Sequence, residues 1–188
     1  MKRKFTTMLL AFTGMMAALV FVSSMISFPI PLSQGETRIH LGNIFCLLSG
    51  LLLGPVYGGL AAGIGSVCFD LINPLYIADA PFTFLFKFAM AFLCGLISHW
   101  RGARASHVLR NFVAAFTGQV TYLVLYIGKN LIINLYFQHM EVQPALIISA
   151  TQLGASALNA VIAIIASVPL CLVIRRALKG TRILEDIG

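Results

Sequence analysis

Charged residues are scarce in this chain, and acidic residues are the scarcest. Only 10% of the 188 residues are charged, and six are Asp or Glu, whereas a soluble domain carries about 25% charged residues. Hydrophobic residues make up 59% of the sequence, and the mean hydropathy is +0.93. A soluble core cannot hide so much apolar surface, so the composition indicates one integral-membrane domain over residues 1–188.

Catalytic motifs are also missing from the sequence. It has no H-E-x-x-H, no G-x-S-x-G and no Walker sequence, so we expect no enzyme activity and no ATP hydrolysis by this chain alone. None of the four cysteines forms a C-x-x-C pair, so neither a metal nor a cofactor is expected. The halves show no inverted repeat of the kind found in many secondary transporters.

Most basic residues flank apolar segments. Ten of the thirteen Lys and Arg residues fall in three groups, at residues 2–4, 101–110 and 175–182. This distribution is the positive-inside pattern of membrane proteins. It argues against nucleic-acid binding in spite of the net charge of +7.

The apolar segments predict an all-α membrane protein with six transmembrane helices in one compact bundle. We expect the helices near residues 5–28, 41–54, 58–73, 81–100, 110–137 and 145–175. An even number of spans puts both termini on one side, and the basic groups make that side cytoplasmic. The predicted topology is therefore N-in/C-in, in the plasma membrane of a prokaryote, with an extended outer loop opened by Pro29 and Pro31.

The second and third predicted helices are short. Each has about 15 apolar residues, against ~20 needed to cross a bilayer. They form either a re-entrant hairpin or two short crossing helices. Small residues around Gly58 and Gly63 favour crossing helices, because such residues pack closely against protein.

Three charged residues lie inside predicted spans: Asp70, Lys87 and Lys129. A charge in the hydrocarbon costs at least ~2.5 kcal/mol, so it usually marks a pathway or a binding site. The predicted topology puts all three towards the outer surface. Two alternatives stay open: Asp70 and Lys87 form a structural ion pair, or Lys129 extends to the membrane interface.

Polar residues accompany these charges on the last two predicted helices. Side chains four residues apart share one helix face, as do Tyr126, Asn130 and Asn134. From position alone, the predicted substrate-binding residues are Lys129, Asn130, Tyr126, Asn134, Lys87, Asp70, Gln152 and Asn159. Interhelical hydrogen bonding is the alternative role for each amide.

Three segments resemble a known family. Residues 38–74 (RIHLGNIFCLLSGLLLGPVYGGLAAGIGSVCFDLINP), 80–102 and 157–170 are similar to helices of the substrate-binding S components of energy-coupling-factor (ECF) vitamin transporters. The resemblance implies that a vitamin-type molecule binds near the outer surface. It also implies that the chain assembles with a transmembrane coupling protein and two cytoplasmic ATPases. In such an assembly the S component would topple in the membrane and carry the substrate inward.

The resemblance also implies a docking surface on the first helix. Family members present a small-xxx-small pattern there to the coupling protein, and Gly14 and Ala18 match it, with Ala11 and Ala17 nearby. Small residues let a partner helix approach closely. Packing within this protein is the alternative.

The predicted pocket contains two lysines and one aspartate, which favours an anionic substrate such as pantothenate or a folate. An uncharged ring compound such as riboflavin would require Asp70 to neutralise Lys87 and Lys129 to be exposed to water. A stand-alone channel or secondary transporter, and an assembly subunit without a ligand, are the rival functions.

Overall fold

We describe a computed structural model of the protein over residues 7–31, 36–103 and 105–180. The basic residues at positions 2–4, Arg104 and Arg182 lie outside the described residues. The first helix is described from Thr7 and ends at Met25, before the predicted end near residue 28; its predicted start near residue 5 lies outside the described residues.

Six α-helices form most of the described structure, close to the predicted positions. They are α1 (Thr7–Met25), α2 (Gly42–Leu53), α3 (Pro55–Ile72), α4 (Ala80–Ser98), α5 (Val108–Ile132) and α6 (Val142–Ala177). A π-helical segment, Ile133–Phe137, continues α5. The prediction of a six-helix membrane protein is confirmed at this level.

The predicted outer loop contains a β-hairpin. Strand β1 (Ser27–Pro31) pairs antiparallel with β2 (Glu36–His40), and Ser27 is opposite His40. Pro29 and Pro31 prevent a helix here and are tolerated because the two strands are both edges. The hairpin connects the end of α1 to the start of α2, so the protein is mostly rather than entirely helical.

Among the described residues, five helices are long and apolar enough to cross a membrane, and α2 is not one of them. Its 12 residues span only ~18 Å at 1.5 Å per residue, against a hydrocarbon thickness of ~30 Å. Ten of its residues are buried, in contact with α1, α3, α4 and α6. Six full spans are therefore not confirmed, and α2 is a short helix surrounded by protein.

Glycine allows the close packing that holds α2 and α3 in place. A Cβ atom on Gly95 of α4 would lie 2.6 Å from the backbone of Gly54 and Pro55, at the turn between α2 and α3. A Cβ on Gly65 of α3 would collide with the carbonyl oxygen of Ala17 in α1. These contacts fix α3 between α1 and α4, which positions its last turn at the site described below.

Apolar side chains also cover the outside of the bundle. Large exposed residues occur on the long helices, for example Leu19, Leu85, Phe116 and Ile165. An exposed apolar surface on spanning-length helices is typical of lipid contact. The chain is a multi-pass membrane protein.

Candidate functional site

A cavity of about 370 Å³ lies at the end of the bundle that carries the hairpin. We call it the hairpin-end cavity. Its walls come from α1, β2, α3, α4, α5, α6 and the α3–α4 and α5–α6 connections. Ligand pockets in proteins typically measure ~300–1,000 Å³, so this cavity suits a small organic molecule.

The structure brings all eight predicted site residues to the walls of this cavity. They are Asp70, Lys87, Tyr126, Lys129, Asn130, Asn134, Gln152 and Asn159. Their common depth follows from the antiparallel arrangement, because the end of α3, the start of α4, the end of α5 and the start of α6 all lie at the hairpin end. Substrate binding by these residues stays a prediction.

Lys129 is paired with a carboxylate that the sequence did not connect with it. Its Nζ lies 2.8 Å from Oδ1 of Asp79, and the Lys129 side chain is only 9% exposed, against 43% for Asp79. Asp79 ends a 3₁₀ turn, Ile77–Asp79, just before α4. The amine of Lys129 is thus held at the cavity wall by Asp79, and the alternative in which Lys129 extends to the membrane interface stays untested.

Lys87 is also held by neighbouring groups. It is 3% exposed, its Nζ donates a hydrogen bond to Oδ1 of Asn43, and it lies 3.9 Å from the centroid of the Tyr122 ring. A cation above an aromatic ring is stabilised by the ring's negative face. Asp70 lines the same cavity and is 2% exposed.

Three of the predicted amides have hydrogen-bond partners. Asn130 Nδ2 donates to Gln152 Oε1 over 3.0 Å and links α5 to α6. Asn159 Oδ1 accepts from the backbone N–H of His40 over 3.1 Å, which links α6 to the hairpin. These bonds agree with the alternative of interhelical hydrogen bonding, and the amides still face the cavity.

Asn134 differs from these amides. It is 8% exposed, and its Nδ2 has no hydrogen-bond partner within the described part of the chain. A buried donor without a partner costs about 1–3 kcal/mol. It lies in the π-helical segment that continues α5, and π-helical turns occur frequently at functional sites.

Aromatic rings form much of the cavity wall. Tyr122 and Tyr126 stack with centroids 5.7 Å apart and planes at 11°. On α4, Phe82 and Phe86 lie 6.1 Å apart, and Tyr76 lies 6.4 Å from Phe69. All six line the cavity.

Sequence reasoning missed several lining residues. Phe82 and Phe86 are four residues apart in the sequence, so their spacing was a usable signal that the two rings share one helix face. Tyr76 and His40 also line the cavity, and neither was among the predicted site residues. No local pattern marks Asp79, because its role depends on a contact with a residue fifty positions away.

The small residues of α1 divide between two environments. Ala11, Gly14 and Ala18 are exposed, and a Cβ on Gly14 would meet nothing within 4 Å. Ala17 is half-buried against Gly65, so it lies beside the exposed face rather than on it. In the described residues no cluster of three His, Cys, Asp or Glu side chains is suited to a metal ion.

Comparison with known proteins identifies the family. The family model described as "ECF-type riboflavin transporter, S component" matches residues 4–176. The chain belongs to this family. The predicted family, S components of ECF vitamin transporters, is therefore confirmed, and it is a transporter family rather than an enzyme family.

This S component is also similar to two individual proteins. It is similar in structure to the S component for biotin from an ECF-type ABC transporter, with a TM-score of 0.62, 17% identity, and coverage of 89% of this chain and 94% of the other. That similarity shows a common fold. It is also 35% identical over 81 residues, 43% of its length, to an uncharacterized protein from Pyrococcus woesei, and the match spans about half (52%) of that relative.

Proposed function

We propose that this S component binds riboflavin, or a vitamin with a similar uncharged ring system, with high affinity in the hairpin-end cavity. The observation that carries the proposal is the combination of six aromatic side chains with an unpartnered amide donor on Asn134. A flat ring stacks favourably between aromatic side chains. A few well-placed polar groups then fix its orientation.

The charges of the cavity support an uncharged ring. The pocket predicted from the sequence contained two lysines and one aspartate, so that binding of riboflavin required Asp70 to neutralise Lys87 and Lys129 to be exposed to water. The ion pair between Lys129 and Asp79 supports binding of an uncharged ring, because Asp79 neutralises the lysine without requiring it to be exposed to water. The anionic substrate expected from the sequence loses its main support, because that lysine is already paired.

We also propose ATP-driven uptake through an ECF module. This chain carries no Walker sequence, so a transmembrane coupling protein and two cytoplasmic ATPases would supply the energy. The exposed face formed by Ala11, Gly14 and Ala18 on α1 is the proposed contact with the coupling protein. The orientation would be N-in/C-in in a prokaryotic plasma membrane, with the cavity facing outward.

The test is to identify the small molecule that copurifies with the protein. The chain is purified from cells grown with riboflavin, unfolded, and its released small molecules are identified by mass spectrometry. A flavin at about one equivalent per chain supports the proposal. A pure preparation that releases another vitamin contradicts the riboflavin assignment, and uptake by liposomes that contain this chain alone would contradict dependence on an ECF module.

A further inference from the structure

The charged side chains of the hairpin-end cavity balance one another. Among the described residues, its walls carry Asp70 and Asp79 against Lys87 and Lys129, with His40 counted as neutral. A ligand that brings its own negative charge therefore meets no net positive charge. A phosphate monoester carries about −1.5 to −2 charges at pH 7, so this balance bears directly on which ligands can bind.

Asp79 is the more exposed member of its ion pair with Lys129. Its side chain is 43% exposed, whereas the paired Lys129 is 9% exposed. Lys129 Nζ also lies 5.6 Å from the ring of Phe82 and 6.0 Å from the ring of Tyr126. The ammonium group thus stands among the aromatic walls, and the charge it presents to a ligand depends on the carboxylate beside it.

We propose that Asp79 is a specificity-determining residue that excludes phosphorylated or otherwise anionic forms of the vitamin by neutralising Lys129. The inference rests on the proposed function, binding of an uncharged ring vitamin. An uncharged ligand leaves the Lys129–Asp79 pair intact. An anionic ligand must either compete with Asp79 for Lys129 or lie beside an unneutralised carboxylate, and both outcomes weaken its binding.

The experiment compares two probes with the same ring, riboflavin and flavin mononucleotide, its phosphate monoester. Their fluorescence is titrated with purified wild-type protein and with Asp79→Asn, which keeps the shape of the side chain and removes its charge. We expect Asp79→Asn to tighten flavin mononucleotide binding by roughly ten- to a hundred-fold, the worth of one charge-assisted hydrogen bond.

Two further variants identify the cause. Glu141→Gln removes an exposed acidic charge from the start of α6, outside the cavity, and should leave both affinities at the wild-type level. Adding Lys129→Met to Asp79→Asn should abolish the gain for flavin mononucleotide, because the freed cation is gone. An unchanged or weaker affinity of Asp79→Asn for flavin mononucleotide, with riboflavin still bound, overturns the inference.

A ligand-free measurement separates this inference from the proposed function. Acetic anhydride modifies lysine amines, and pairing with a carboxylate protects an amine from it. Lys129, mapped by mass spectrometry, should be modified faster in Asp79→Asn than in wild type or Glu141→Gln. If wild type does not bind riboflavin, the proposed function fails by itself. Equal Lys129 modification in Asp79→Asn and wild type overturns the role of Asp79 whatever the ligand is.

Discussion

Asn134 and Gln119 show how a buried amide can be assigned a role. Both lie on the segment formed by α5 and its π-helical continuation, and both are almost fully buried. Neither Gln119 polar atom has a hydrogen-bond partner among the described residues, nor does Asn134 Nδ2. Only Asn134 lines the hairpin-end cavity, so only its unsatisfied donor is available to a ligand.

This difference gives a matched pair of variants. Asn134→Leu keeps the approximate shape and deletes the donor, so riboflavin affinity should fall roughly two- to ten-fold, since a neutral hydrogen bond contributes about 0.5–1.5 kcal/mol. Gln119→Met should leave the affinity unchanged. Thermal unfolding in detergent should show neither variant to be less stable, because each loses an unsatisfied polar group. Equal affinities for both variants would remove Asn134 from the site.

At the scale of single residues, the cavity-lining positions could be predicted where polar residues recur with the period of a helix. Tyr126, Asn130 and Asn134 recur at intervals of four residues, so one helical face was predictable. The partners of the charges were not predictable. Asp79 reaches Lys129, and Asn43 reaches Lys87, across separate elements whose packing no local pattern encodes.

At the scale of single elements, α1 offers the clearest division between two faces. Leu9, Thr13, Met16 and Val20 are buried against the bundle, and Ala11, Gly14 and Ala18 face outward. Exposed small residues in a membrane helix permit close approach by another helix. The face is thus available to the coupling protein.

The docking proposal predicts a separation of uptake from binding. Gly14→Leu combined with Ala18→Leu should abolish uptake in the presence of the ECF module and leave riboflavin binding by the isolated protein unchanged. The control is Ala150→Leu combined with Gly154→Leu, because these residues form an equally exposed small-xxx-small pattern on α6. Uptake should survive in the control. Loss of uptake only in the α6 variant would move the docking surface to that helix.

Close packing of α1 on α3 makes a second element-scale prediction. Gly65→Ala puts a Cβ against the Ala17 carbonyl, and overpacking of this kind costs about 1–3 kcal/mol, so the thermal unfolding temperature in detergent should fall. Gly14→Ala is the control, since its Cβ meets nothing within 4 Å. Equal unfolding temperatures would show that α1 can shift away from α3 at little cost.

The elements themselves were predictable to different degrees. Long apolar segments bounded by Pro, Gly and charged residues gave all six helices near their observed positions. The β1–β2 hairpin was expected only as an extended loop, because two short strands with prolines lack a clear alternating pattern. The short length of α2 was predicted, but its crossing of the bilayer is not confirmed, since burial by neighbouring helices replaces the length that lipid contact would require.

At the scale of the whole molecule, the orientation remains a prediction. The three basic groups favour cytoplasmic termini, and this orientation makes the hairpin-end cavity open to the outside. A reporter enzyme that is active only outside the cell, fused to the C-terminus, should therefore give no signal. The same reporter inserted between residues 31 and 36 should give a strong signal. The opposite pair of signals would reverse the orientation of the cavity.

The direct test of the central claim is a fluorescence titration of riboflavin with the purified S component in detergent. We expect saturable quenching at one riboflavin per chain, with a Kd below about 1 μM, because the flavin ring enters a cavity walled by aromatic side chains. Folded protein that leaves riboflavin fluorescence unchanged at concentrations well above this value would contradict the assignment of the cavity to a flavin-type vitamin.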